Sequence, residues 1–181
     1  MFGLTGCQTG ALRVQVSRYE GDGAIADTSL GAPPIFWSPG FRVVFPPFDP
    51  KKSYTHSYHL KGVPTTKDTS TIYVRFTGDW SPDLDRLQKS ITSTLSFRIL
   101  DENGISLKAQ KVVFSEAIWS WESGKPGTFG LWVHDPIRNT VKNSFLFDRS
   151  KQYTLQIVYN PGPVPPRAER LWITVESGGT M

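Results

Sequence analysis

One eight-residue pattern occurs twice in this chain, and the pair constrains the fold more than any other feature. Phe48-Asp49-Pro50-Lys51-Lys52-Ser53-Tyr54-Thr55 matches Phe147-Asp148-Arg149-Ser150-Lys151-Gln152-Tyr153-Thr154 at Phe, Asp, Lys, Tyr and Thr. The spacing is constant, since 147 − 48 and 154 − 55 both give 99. Continued without gaps, Pro64 falls on Pro163, and Ile72, Val74 and Phe76 fall on Leu171, Ile173 and Val175. A one-residue slip would turn each apolar set toward water, so the shared phase implies that both copies bury one strand face. Each copy reads as a turn whose Asp accepts backbone hydrogen bonds, followed by a strand whose Tyr points inward. The expectation is two similar hairpins, at 48–76 and 147–175, in halves spanning 11–80 and 91–176.

The remaining strand signals follow the same grammar. Leu12, Val14 and Val16 alternate with Arg13, Gln15 and Ser17 until Glu20-Gly21-Asp22-Gly23 breaks the run. Phe41 to Phe45 is a short run stopped by Pro46-Pro47. Tyr54, His56, Tyr58 and Leu60 share one face of the next strand. Leu95, Phe97 and Ile99 alternate up to Asp101-Glu102-Asn103-Gly104, and Asn-Gly is a strong hairpin turn, so Ile105 to Phe114 reads as the return strand. Thr128 to His134 reads as another strand, and Tyr153–Tyr159 and Leu171–Val175 read as a pair joined by the stiff stretch from Asn160 to Pro166. Only Ser81 to Ser90 reads as helix, with Ser81 as N-cap, Pro82 in the first turn and Asp83 and Asp85 at the positive end of the dipole. Eight or nine short strands with one crossover helix predict an all-β, two-layer antiparallel β-sandwich of jelly-roll type. The chain is expected to form a single sandwich domain over 11–176, behind a flexible tether at 1–10.

Composition narrows the function. Twenty Lys and Arg against sixteen Asp and Glu leave a net charge of +4, without a basic run, so nucleic acid is not the expected partner. No stretch approaches the ~18 apolar residues of a membrane-spanning helix. The single Cys and three His have no zinc-ligand spacing. His56 and His59 point to opposite faces of a strand, so no metal is expected. His134-Asp135 could orient an imidazole, but no Ser or Cys lies in a nucleophile-elbow sequence. Asp83/Asp85 and Asp101/Glu102 fit helix-start and turn positions. No catalytic residues and no cofactor are therefore expected, and glycoside chemistry by two carboxylates is the least implausible enzymatic alternative.

The aromatic candidates are Trp119, Trp121 and Trp132, with Glu122 beside them. Flat side chains next to a carboxylate can anchor a protein partner or stack on sugar rings. Equally, they can fill a sandwich core. Trp37 and Trp80 adjoin Pro and Asp in loops.

Leu4-Thr5-Gly6-Cys7 resembles the lipobox of bacterial lipoproteins, with small residues immediately before the Cys. A complete export signal would add a basic start and an apolar stretch of ~7–15 residues ahead of it. The resemblance implies lipid attachment at Cys7 and a periplasmic domain. Gln8, in place of the aspartate of inner-membrane retention, implies the outer membrane. Lipoproteins of this kind include periplasmic toxin-immunity proteins. The leading expectation is thus a non-enzymatic cell-envelope protein that binds a protein partner, such as a toxin or envelope enzyme, and inhibits it by occlusion. The alternatives are a carbohydrate-binding β-sandwich module and a structural subunit of an envelope or particle assembly.

Overall fold

A computed structural model describes residues 18–27, 40–64, 69–78, 84–121, 127–138 and 140–177. The predicted strand at 12–16, the helix cap at Ser81, Trp37, Trp80 and Cys7 with its lipobox-like sequence lie outside the described residues. The remainder is an all-β, two-layer antiparallel sandwich. Its strands are β1 (Ala24–Asp27), β2 (Phe41–Val44), β3 (Tyr54–Lys61), β4 (Ser70–Thr77), β5 (Thr94–Leu100), β6 (Ser106–Val113) and β7 (Ile118–Trp121). They continue as β8 (Thr128–Trp132), β9 (His134–Asp135), β10 (Thr140–Val141), β11 (Ser144–Phe145), β12 (Gln152–Asn160) and β13 (Leu171–Ser177). One helix, α1 (Leu84–Ser90), crosses between the halves, with Lys89 at its negative end. The thirteen strands among the described residues exceed the expected eight or nine because β1 and β7, of four residues each, and β9, β10 and β11, of two residues each, are too short to leave a clear period in the sequence.

One layer runs β1-β2-β13-β4-β8-β7, with β11 continuing the flank of β4, and the other runs β3-β12-β5-β6. Alternate residues of both layers turn inward. Val74, Ile173, Val175 and Leu131 from the first meet Leu155, Ile157, Leu95 and Ile99 from the second in one core. Rings close the gap between layers, as where Phe45 stacks on Tyr58 at 4.2 Å. The Asn103-Gly104 turn joins β5 to β6, with Gly104 at φ +78°.

The two expected hairpins are not hairpins. β3 pairs with β12 and β4 pairs with β13, so each repeat is an arch that crosses from one layer to the other. Likewise β12 and β13 lie in different layers and do not pair. Alternation specifies which face a strand buries but not which strand lies beside it. The connectors contain Pro64 and the Pro161–Pro166 stretch, which are not two-residue hairpin turns.

The register reveals what the repeat builds. Ser57 faces Gln156, its own counterpart 99 residues on, and Val74 faces Ile173 in the same way. Counterparts that face one another lie on a pseudo-two-fold axis, and this axis pierces both layers. The relation extends outward: β2 flanks β13 as β8 flanks β4, with Val43 opposite Val175 and Phe129 opposite Phe76. β1 then corresponds to β7 at the two ends of that sheet. In the smaller layer β5 lies on β12, and the short stretch Glu20–Asp22 takes the matching place on β3 through Glu20 N–H to Lys61 O (3.0 Å) and Asp22 N–H to His59 O (2.7 Å). β6 has no counterpart among the described residues of the first half.

Candidate functional site

The end of the smaller sheet where β3 finishes and β12 begins gathers several polar turns. Gln152 faces Lys61 there, and the two residues border a pair of adjoining shallow clefts of about 280 and 330 Å³. Arg18, Glu20 and Arg149 line the first; His59, Asp101 and Glu102 line the second.

Each contributing turn is braced by an aspartate. The Asp148 Oδ1 accepts the Ser150 hydroxyl at 2.7 Å and its backbone N–H at 2.9 Å, and the Asp148 N–H donates to the Tyr153 hydroxyl at 3.0 Å. The Ser150 hydroxyl and amide hold the Asp148 carboxyl below the usual carboxylate range. Asp49, its counterpart, accepts the Lys51 N–H at 2.8 Å and is lowered chiefly by that bond. Asp101 accepts the N–H groups of Asn103 (2.9 Å) and Ile105 (2.8 Å). These are Asx-type turns, in which a short acidic side chain replaces a backbone acceptor.

The Arg18–Asp22 stretch is clasped as firmly. Asp22 Oδ2 accepts the His59 N–H at 2.7 Å, and the Tyr19 hydroxyl donates to the Asp22 carbonyl at 2.5 Å. Burial, aided by the Asp22 charge, pushes the Tyr19 phenol up, so it remains a neutral donor. Glu20 and Lys61 form an ion pair across the seam. Gly62, at φ +72°, has no side chain for a physical reason: a Cβ there would lie 2.5 Å from the Arg18 carbonyl oxygen. The carboxylates of Asp148, Asp101 and Asp22 are therefore engaged in turns and clasps, and that of Glu20 in the ion pair with Lys61.

The tryptophans do not form a common platform. Trp119 faces Leu131 in register on the core side, half-buried, with its ring edge-on to Phe76 at 5.0 Å and its Nε1–H donating to the Phe114 carbonyl at 3.1 Å. Trp121 occupies the same strand phase, opposite Phe129; its side chain and Glu122 lie outside what is described. Trp132 faces Ile118 on the other side of the sheet, half-buried, with its ring edge-on to His134 at 6.0 Å. Two-residue spacing does put Trp119 and Trp121 in one phase, but antiparallel register sends Trp132 to the opposite face.

A buried charge cluster on the outward side of the larger sheet went unanticipated. Arg75, 6% exposed, is bidentate to Glu176 through Nε (2.7 Å) and Nη2 (2.8 Å), while Arg42 Nη2 reaches the same carboxylate at 3.1 Å. The Thr174 hydroxyl donates to Glu176 Oε1 at 2.5 Å. The Arg75 guanidinium lies over the Tyr73 ring at 4.8 Å. It also passes over Gly130, where a Cβ would stand 3.2 Å from Nη1. These bonds tie β2, β13 and β4 side by side. The available signal was Arg75 itself, a charge within the strong strand pattern of Thr71–Thr77.

Among the described residues no three His, Cys, Asp or Glu side chains are grouped as metal ligands. No family model, curated protein or solved structure matches the chain.

Proposed function

We propose that this chain is a non-enzymatic protein-binding domain whose contact surface is the turn-rich end of the smaller sheet. The observation that carries the reading is the bracing of that end: Asp148 and Asp101 each fix their own turn and Asp22 clasps its stretch to His59 on β3, so Arg149, Glu102, Arg18 and Glu20 project from ordered backbone. Charges held in place before a partner arrives lower the ordering cost of binding and steer the encounter. Shallow clefts of mixed charge suit occlusion of another protein's site better than enclosure of a small substrate. The concrete form we favour is an inhibitor or immunity protein acting on a secreted toxin or envelope enzyme. Lipid attachment at Cys7 would keep it at the periplasmic side of the outer membrane.

The test is affinity capture from an envelope extract of the source cell, in parallel with the Arg18→Glu/Arg149→Glu variant. A partner held by the parent domain and bound about tenfold more weakly by an equally stable variant is expected. A partner bound equally by both would remove this end of the sandwich from consideration, and capture of nothing above background would count against the reading.

A further inference from the structure

We infer that Asn103 is a site of spontaneous covalent modification in the folded protein. Its side-chain amide closes onto the Gly104 backbone nitrogen as a cyclic imide, which water opens to an aspartyl or isoaspartyl residue. The modification does not depend on the protein-binding reading, although it falls on the surface that reading uses.

The reaction balances without a cofactor or an oxidant. The Gly104 nitrogen gives its proton to solvent base and bonds to the Asn103 Cγ, the Cγ–Nδ2 bond breaks, and ammonia leaves. Water then adds to one of the two imide carbonyls. Opening at the side-chain carbonyl leaves aspartate, whereas opening at the main-chain carbonyl leaves the chain running through Cβ and Cγ. The net change is water in and ammonia out.

Four asparagines occur in the sequence, and their surroundings sort them. Asn143 is buried; its Nδ2 donates to the Ile72 carbonyl at 2.6 Å and its Oδ1 accepts the Val133 N–H at 2.8 Å, so both ends of the amide are held. Asn160 precedes Pro161, whose nitrogen has no proton to lose. Asn139 lies outside the described residues. Asn103 is exposed, and its side-chain amide has no hydrogen-bond partner among the described residues. The next residue is a glycine, and beyond its chain neighbours no atom lies within 4 Å of where a Cβ would stand. A ring closing on the Gly104 nitrogen therefore has room.

The turn slows this chemistry without forbidding it. The Gly104 N–H donates to the Asp101 carbonyl at 3.0 Å and must leave that bond before its proton is lost. Residues 102–107 are all exposed, so the opening moves nothing in the core. The product changes the place where it forms. Asp101, Glu102 and Gly104 border the second cleft, and a carboxylate at position 103 adds to that acidic rim. An isoaspartyl link also lengthens the chain between the Asn103 and Ile105 N–H groups, which Asp101 Oδ1 accepts together, and so loosens the turn that carries Glu102.

The test incubates the full chain at about pH 7 and about pH 8, with tryptic digestion at intervals against a zero-time sample. Peptide 99–108 should gain ~1 Da, the difference between –NH2 and –OH, and split into aspartyl and isoaspartyl forms. Conversion should be up to about tenfold faster at the higher pH, because the deprotonated amide is the nucleophile. Peptides 143–149 and 152–167 should stay unchanged. Gly104→Ala should slow conversion by crowding the ring closure, and Asn103→Gln, whose imide ring is one atom larger, should abolish it even if the alanine variant folds poorly. Glu176→Gln, which raises the unfolded population and leaves the turn alone, should convert at the parent rate. An unmodified peptide 99–108, after a free synthetic peptide of the same sequence has converted, would overturn the inference. Conversion that accelerates in Glu176→Gln, or that reaches Asn143 equally, would also overturn it, since the reaction would then belong to the unfolded chain.

Discussion

Glu176→Gln tests the energetic logic of the outward charge cluster. The Glu176 carboxylate accepts two hydrogen bonds from Arg75, one from Arg42 and one from Thr174. The three charged side chains are 7%, 12% and 18% exposed for Arg75, Glu176 and Arg42. The substitution preserves shape and one acceptor oxygen but leaves two guanidinium groups on a largely dry sheet face without their carboxylate. Removing one partner of a buried pair costs about 3–5 kcal/mol, and the residual exposure here argues for the lower end, about 3 kcal/mol. For a domain of this size that corresponds to a fall in melting temperature of roughly 6–12 °C. Urea unfolding should show the loss as a lower midpoint at unchanged slope. In a double-mutant cycle with Arg75→Met, the second substitution should cost less once the first is present, because the charges it strands are fewer. A loss below about 1 kcal/mol, or additivity within about 0.5 kcal/mol, would refute the view that this carboxylate organises the cluster.

Two glycines should separate conformational strain from steric conflict. Gly104→Ala, at φ +78° in open space, should cost about 1 kcal/mol, whereas Gly62→Ala, whose Cβ would meet the Arg18 carbonyl at 2.5 Å, should cost clearly more in thermal unfolding. Acid should weaken the fold through the repeated turns. The carboxyls of Asp49 and Asp148 titrate lower in the folded chain than in the unfolded one. The unfolded state therefore binds more protons as the pH falls through about 4. Stability present above that range is then lost on further acidification, and Asp49→Asn/Asp148→Asn should show a shallower decline below pH 4 in denaturant titrations. Lipid attachment predicts that a metabolically incorporated alkyne fatty acid labels the full-length protein and that Cys7→Ser abolishes the label; equal labelling of both would exclude that thiol.

Much of the sandwich was legible because strand burial is a local property. Ile72, Val74 and Phe76 announce their shared face within five residues, and Asp101-Glu102-Asn103-Gly104 specifies its own turn. Neighbour relations were not legible in the same way. β3 and β12 both read as half-buried strands, and only three-dimensional packing reveals that they lie side by side while β12 and β13 lie in different layers. The turn-rich end inherits that difficulty, since Lys61 meets Gln152 only through the β3–β12 register. The charge cluster joins residues on three strands, with Arg42 and Glu176 separated by 134 positions. No local window contains them.

The pseudo-two-fold pairing also sets the order in which the protein can be completed. Both central pairs, β3 with β12 and β4 with β13, join residues roughly a hundred positions apart. At ribosomal speeds of about 5–20 residues per second, β4 must wait roughly 5–20 s after its synthesis for its partner β13 to be made. During that interval Ile72, Val74 and Phe76 have no β13 face to meet, and loop closure over such a span is slow even once both strands exist. A stop codon between β4 and Leu171 would therefore release a product in which β4 lacks its β13 neighbour.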